Sequence, residues 1–216
     1  MAKESVNKDN KANLKEISKV CRRLSEKPPS DFREALQSVW FLFVILHMES
    51  NASSFSPGRM DQYLYPFYDN DLKAGEMTET EMQEFMDALF IKFNQIVYMR
   101  NAHSARYFAG FPIGFNITIG GQNETGGDAT NELSYLILKS QEHIRLPQPN
   151  LTARFHSNTP DRFVDECSRV IGLGTGMPQI VNDESIIPAL RKSGFSHEDA
   201  MDYVLVGCVE LSTQGN

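Results

Sequence analysis

The chain has 216 residues, 41% of them hydrophobic, with a formal net charge of −7 and a pI near 5.3. That length supports one sizeable core, and no low-complexity tract or internal repeat interrupts it. A net acidic surface repels polyanions, which speaks against nucleic acid and anionic membrane as partners.

In chain order, residues Lys3 to Lys27 read as a charged amphipathic helix stopped by Pro28-Pro29. Ser30 is the expected cap of a second helix, in which Phe32, Ala35, Leu36, Val39 and Phe43 recur at helical spacing. Its apolar run, Trp40 to Leu46, is far below the roughly 18 residues of a spanning helix, so a core helix is expected there. Ser50 to Gly58 is rich in Ser, Asn, Pro and Gly and predicts a loop. Thr78 and Glu81 form a capping box that opens a third helix, running to about Arg100.

From Pro112 short strands alternate with helices. A strand over Ile113 to Ile119 puts Phe115, Ile117 and Ile119 on one face, and a second carries Leu151, Ala153 and Phe155, with a helix from Asp128 to Glu142 between them. Thr159 caps the next helix, with Pro160 in its first turn, where a missing N–H costs nothing. A strand from Gln179 to Asn182, helices from Glu184 and Ser196, and a strand from Tyr203 into Cys208 complete the series. Such a β–α–β–α–β order predicts an α/β fold with parallel strands and right-handed crossovers, with a mainly helical part over 1–110 and a β/α part over 111–216.

Active groups in such folds collect at the carboxyl ends of the strands. That places Cys208, Glu210, His156 and the Asn182-Asp183 pair together. Gly207 lets the backbone turn sharply, and Cys208 and Glu210, two positions apart in an extended loop, project the same way. A buried Cys beside a solvated Glu would look the same in sequence. A Cys hydrolase would need a His against the thiol, and none of His47, His103, His143, His156 and His197 sits in a nucleophile motif.

The remaining constellations are weaker. The hydroxyl-rich stretch Glu49 to Ser56 suits a carboxylate or polyol, and equally an ordinary Ser-rich turn. Arg59 and Asp61 are candidates for a pocket-wall ion pair or a structural one. Gly172 to Gly176 lacks the Lys-Ser/Thr of a P-loop and follows a helix, which predicts a close-packed loop. Cys21 and Cys167 fall at helical apolar positions and read as inert core thiols. With no metal-ligand spacing among the cysteines, and a polar start Met1-Ala2-Lys3-Glu4, a cytoplasmic protein without zinc is expected.

Gly207-Cys208-Val209-Glu210 resembles the thiyl-radical loop of the glycyl radical enzymes, the family of pyruvate formate-lyase, glycerol and diol dehydratases, choline lyase and arylacetate decarboxylases. The resemblance recurs in family order along nearly the whole chain. It takes in Pro28-Pro29 with Phe32 to Gln37, Glu49-Ser50-Asn51, Ser56 to Pro66, Thr118 to Gly121, Asp128 to Ser134, Arg154-Phe155-His156 and Asn182-Asp183.

What this resemblance implies is radical chemistry on part of a ten-stranded α/β barrel, about one half of it, preceded by helices. Cys208 corresponds to the thiyl residue and Glu210 to the acid/base, with Asn51, Ser53, Ser54 and Phe115 as substrate-binding candidates. A thiol S–H is close in strength to a C–H beside a hydroxyl, so hydrogen-atom transfer can run both ways, and a Glu held out of water has its pKa lifted toward neutrality. Pyruvate formate-lyase carries adjacent cysteines at this loop, whereas Cys208 stands between Gly207 and Val209. The resemblance therefore favours dehydratase, lyase or decarboxylase chemistry on a small substrate. Where dehydratases carry a His beside a Ser, this chain has Ser53 beside Ser54. No glycine here matches the family's radical loop, so the resemblance implies a fragment that binds no cofactor itself. The radical would sit in a C-terminal part, installed by an activating enzyme that uses S-adenosylmethionine and an iron–sulfur cluster, in a full-length homodimer. The alternative is an inactive remnant or a binding subunit.

Overall fold

The computed structural model describes residues 8–50, 54–96, 101–108 and 113–213. Six helices come first: α1 (Lys8–Leu24), α2 (Phe32–Ser50), α3 (Met60–Tyr63), α4 (Tyr65–Ala74), α5 (Glu79–Phe93) and α6 (Ala102–Phe108). Then β1 (Asn116–Gly120), α7 (Glu132–Ile144), β2 (Asn150–Phe155), α8 (Asp161–Val170), β3 (Gln179–Asn182), α9 (Asp183–Lys192), α10 (His197–Met201), β4 (Tyr203–Val206) and β5 (Glu210–Thr213) follow.

Local chemistry sets the helix ends, not always with the residue expected. The Thr78/Glu81 capping box opens α5 as read, but that helix stops at Phe93, and residues 97–100 lie outside the described part. At α2 the Glu34 N–H donates to Asp31 Oδ1 at 2.8 Å, so Asp31 does the capping. The Ser30 hydroxyl instead donates to the Glu34 carboxylate, which also pairs with Arg23 of α1. Asn131 caps α7, accepting from the Leu133 and Ser134 N–H groups, so that helix starts later than Asp128. Thr159 turns back to accept from the His156 N–H at 2.8 Å, leaving Pro160 as the residue before α8.

Strands β1, β2 and β3 form one parallel sheet in that order, with Asn116 opposite Asn150 and Thr152 opposite Gln179. The strand into Cys208 does not join them: β4 pairs antiparallel with β5 as a hairpin, Val206 opposite Glu210. The reason lies in the free valences of the sheet's second face. There the Leu205 N–H donates to Thr118 Oγ1 at 3.1 Å and Arg154 donates to the Tyr203 carbonyl at 2.9 Å, so side chains hold β4 across the face of the sheet.

The two faces differ sharply. Phe115, Ile117, Ile119, Leu151 and Ala153 are fully buried against the helices, in a core with Phe43, Met86, Phe93, Leu133 and Phe163. Asn116, Thr118, Thr152 and Arg154 point the other way, equally buried and polar, as the period of two in a strand requires. A smaller apolar cluster of Ile187, Leu190, Ala200, Met201, Tyr203 and Leu205 packs β4 with α9 and α10.

Two sequence expectations change here. The run Trp40 to Leu46 is only half a core helix: Phe43 is buried, while Leu42 and Ile45 are about three-fifths exposed, at 60% and 58%. A helix that is apolar all round has a second face to cover, and the described residues cover one. Gly172 to Gly176 is not close-packed, since a Cβ at Gly172, Gly174 or Gly176 would meet nothing within 4 Å. Gly174 and Gly176 serve the backbone instead, with φ of +81° and +77°.

Candidate functional site: the Cys208 hairpin

Cys208 sits at the tip of the β4–β5 hairpin, exposed, in the three-residue turn Gly207-Cys208-Val209. Gly207 opens the turn with φ +61°, a conformation that costs a side chain steric strain. Space forbids a side chain there as well: a Cβ on Gly207 would lie 2.7 Å from Glu210 Oε2 and 3.4 Å from Ser54 Oγ.

Glu210 folds back over this turn. Its Oε2 accepts from the Cys208 N–H at 2.9 Å and from the Val209 N–H at 3.1 Å. The N–H groups of Glu210 itself, of Val209 and of Cys208 hold its carboxyl below the usual carboxylate range. The expectation of a Glu lifted toward neutrality by burial is thus reversed, because Glu210 is exposed and bound by donors.

Three side chains hold the hairpin tip from below. The Asn150 side-chain amide donates to the Gly207 carbonyl at 3.1 Å, and Ser56 Oγ accepts from the Gly207 N–H at 3.2 Å. The Asn116 amide approaches the Cys208 carbonyl at a longer 3.5 Å. Ser56 Oγ also accepts from the Asn116 N–H at 2.9 Å and donates to the Ser54 carbonyl at 3.2 Å. Residues 54–58 run beside β1, where the Thr118 N–H reaches the Gly58 carbonyl at 3.0 Å, and this carries the Ser-rich loop to the Cys turn.

Asn116 and Asn150 begin β1 and β2, so the hairpin tip lies at the amino ends of the parallel strands. His156 and the Asn182-Asp183 pair follow the carboxyl ends of β2 and β3, at the opposite edge. The expectation that all of them share one end is corrected: β4 enters from the far end, past Arg154, and delivers Cys208 across the sheet. At that far end His156 bonds Asp128 at 3.1 Å, and Asn182 caps α9.

Asp183 belongs to a fully buried knot. Arg154 donates from Nε to Asp183 Oδ1 at 2.8 Å and from Nη2 to Oδ2 at 3.0 Å, the Tyr203 hydroxyl donates to Oδ1 at 2.7 Å, and the guanidinium lies 3.9 Å from the Tyr203 ring centre. Burial pushes the Tyr203 hydroxyl well above its ordinary pKa. These groups anchor β4, and with it the hairpin.

Of the other substrate candidates, Ser54 does come to the Cys turn, with φ +72°, and Asn51 and Ser53 lie outside the described residues. Phe115 is corrected to a core residue: its ring is packed 4.7 Å from Phe43 and 5.0 Å from Phe93, on the face turned away from the hairpin. Arg59 and Asp61 are structural. Arg59 binds Asp202 and the Gly120 and Gln122 carbonyls, while Asp61 accepts from Ser134 and the Gly120 N–H, and burial raises its pKa. Sequence reasoning carried Ser56 only as the end of the hydroxyl-rich stretch, and missed Asn116 and Asn150. A signal was present, since both strands open Asn-apolar-Thr-apolar, a polar stripe on what proves a buried face.

Among the described residues no group of three His, Cys, Asp or Glu could hold a metal, and no helix is long and apolar enough to cross a membrane. Comparison with known proteins supplies the context. The family model for pyruvate formate lyase-like proteins matches residues 1–216. The chain is 38% identical over 219 residues to the probable dehydratase YbiW of Escherichia coli (strain K12), covering 100% of this chain and 27% of that protein. It is 38% identical over 213 residues to the isethionate sulfite-lyase of Oleidesulfovibrio alaskensis, covering 97% of this chain and 26% of that protein. The glycerol-bound B12-independent glycerol dehydratase from Clostridium butyricum superposes with a TM-score of 0.94 at 42% identity, over 99% of this chain and 27% of its own. The chain thus spans about a quarter of the length of these relatives, and over that part it shares the fold of the glycerol dehydratase. Matched end to end by the family model and by these dehydratases and lyases, the chain belongs to the pyruvate formate lyase-like family of glycyl radical enzymes.

Proposed function

We propose that these residues form the thiol-bearing part of a glycyl radical enzyme that eliminates a leaving group from a small substrate, by cleavage of a C–O, C–N, C–S or C–C bond. The observation that carries this reading is the hairpin tip, where an accessible Cys208 thiol and an ionised Glu210 share one turn beside Ser54. The radical glycine would lie in the rest of a longer enzyme, installed by an activating enzyme that uses S-adenosylmethionine and an iron–sulfur cluster. Its chemistry is to exchange a hydrogen atom with the thiol. A thiol at the tip of a hairpin fits that exchange, because it projects beyond the strands that hold it.

Once its own hydrogen atom has been given up, Cys208 would take one from the substrate carbon beside a hydroxyl, reforming S–H, and later give it back. Glu210, held deprotonated by the turn N–H groups, would accept the proton of that substrate hydroxyl while the leaving group on the adjacent carbon departs with its bonding electron pair, as an anion or, for a hydroxyl, as water carrying the proton Glu210 took up. Ser54, and on the same reading Asn51 and Ser53, orient substrate hydroxyls or an acidic group. Residues 1–110 form the mainly helical part that brings the Ser54 segment to the site, and 111–216 the β/α part that ends in the Cys turn, in a cytoplasmic homodimer at full length.

A lone Cys, without the adjacent thiol of pyruvate formate-lyase, favours elimination over acyl transfer. Anaerobic activation of the full-length enzyme, followed by assay with glycerol, propane-1,2-diol and isethionate, tests this. Turnover of one of them is expected, abolished in Cys208→Ser because an O–H bond is too strong to exchange hydrogen atoms. Formate production from pyruvate and coenzyme A, or turnover surviving in Cys208→Ser, would overturn the reading. Absence of any radical after activation would favour the inactive-remnant alternative.

A further inference from the structure

We propose that Ser56 and Asn150 are positioning residues for the Cys208 thiol, and that the Ser56 hydroxyl fixes the distance between that thiol and the Ser54 segment. The inference rests on the radical reading for its kinetic consequence, though its geometric half does not. A serine hydroxyl has one proton to donate and two lone pairs to accept with. Ser56 spends all three on backbone from three different segments: it donates to the Ser54 carbonyl, and accepts from the Asn116 N–H of β1 and the Gly207 N–H of the Cys turn. Asn150 takes the other backbone group of Gly207, its carbonyl, at 3.1 Å. Both polar groups of the residue that precedes Cys208 are therefore bound by side chains rather than by a strand neighbour.

Two consequences follow from that arrangement. The turn's position is set by the sheet beneath it rather than by the hairpin alone, because both clamps are rooted beside or in the strands. The Ser-rich loop and the thiol also cannot shift relative to each other without breaking a bond to one oxygen atom. Hydrogen-atom transfer needs the sulfur and the substrate carbon in near contact, and misplacement by about 1 Å can cost on the order of 100-fold in rate.

The test uses full-length enzyme carrying Ser56→Ala, Ser56→Thr or Asn150→Ala, with Cys208→Ser as the control for the radical reading. Amide hydrogen exchange at Gly207, Cys208 and Val209 reads the clamp without substrate. Ser56→Ala should accelerate it on the order of tenfold, while the buried Cys167 thiol stays closed to iodoacetamide. In turnover, Ser56→Ala should lower kcat on the order of 10- to 100-fold with KM within about threefold, and a substrate deuterated at the attacked carbon should show a larger isotope effect on kcat. Ser56→Thr, which keeps the hydroxyl, should recover most of the rate. Asn150→Ala should accelerate exchange at the same three amides and lower kcat in the same direction.

Unchanged exchange at the turn in both alanine variants would overturn the proposal. So would a loss of kcat that merely tracks the loss of radical-bearing protein, with the isotope effect unmoved and Cys167 newly reactive, since that is the mark of unfolding. If Cys208→Ser retains turnover the radical reading fails, while the exchange measurement still decides the clamp.

Discussion

At the scale of single residues, the Cys turn is held by charge and by absence of bulk. Gly207→Ala must adopt a positive φ with its Cβ 2.7 Å from Glu210 Oε2, so the carboxylate has to leave its seat. We predict a loss of kcat of at least tenfold in the activated full-length enzyme; native kcat and an undisturbed Glu210 would count against this role. Glu210 also carries a pH signature. Its pKa is depressed in the folded state, so its contribution to the turn is fully present above the unfolded value of about 4.3 and is lost as pH falls through the lower folded value. Carbon-13 NMR of the Glu210 carboxyl should show a midpoint below that of an ordinary glutamate, and a midpoint at or above it would refute the seat. Cys167, by contrast, is a core thiol pushed up to about 12 by burial, which fits its reading as inert.

At the scale of elements, β4 is the piece whose placement matters most, and the Arg154–Asp183–Tyr203 knot is what places it. Removing one member of a fully buried pair strands the other, at a cost of roughly 3–5 kcal/mol. Arg154→Met should therefore lower the unfolding free energy by about that much in urea, and a loss under about 1 kcal/mol would show that water or another donor replaces the guanidinium. Gly121 enters the same account, since a Cβ there would lie 2.5 Å from Arg154 Nε. The capping box of α5 is a smaller matter. Thr78→Ala should cost about 1 kcal/mol, because it frees one N–H at an exposed helix start.

At the scale of the whole molecule, the described residues leave a set of apolar side chains exposed. Leu42, Ile45 and Leu46 share one face of α2, Met48 is 79% exposed, and Ile180 is exposed on β3, the last strand of its parallel sheet. Each Å2 of such surface is worth roughly 25 cal/mol when covered, so a chain presented alone has a strong incentive to associate. We predict concentration-dependent association of the isolated 216-residue chain in light scattering, and no turnover from it. A monodisperse stable monomer would contradict the first half, and a glycyl radical signal on this chain alone the second.

What the sequence by itself determined is what depends on near neighbours. The α5 capping box, the apolar faces of β1 and β2, the glycine at the turn and the thiol with its carboxylate two residues on were all legible, because period and local hydrogen bonding fix them. The family, too, was legible from motifs in order along the chain. Tertiary structure decided the rest. That β4 leaves the parallel sheet, that the Cys turn sits at the amino rather than the carboxyl ends of β1 and β2, and that Asn116 faces the Cys208 carbonyl all depend on partners 60 to 100 residues away along the chain. Ser56 shows the physical reason most plainly. Nothing local sets its hydroxyl apart from the other serines of that stretch, and its role comes from Gly207, 151 residues further on, whose N–H it accepts.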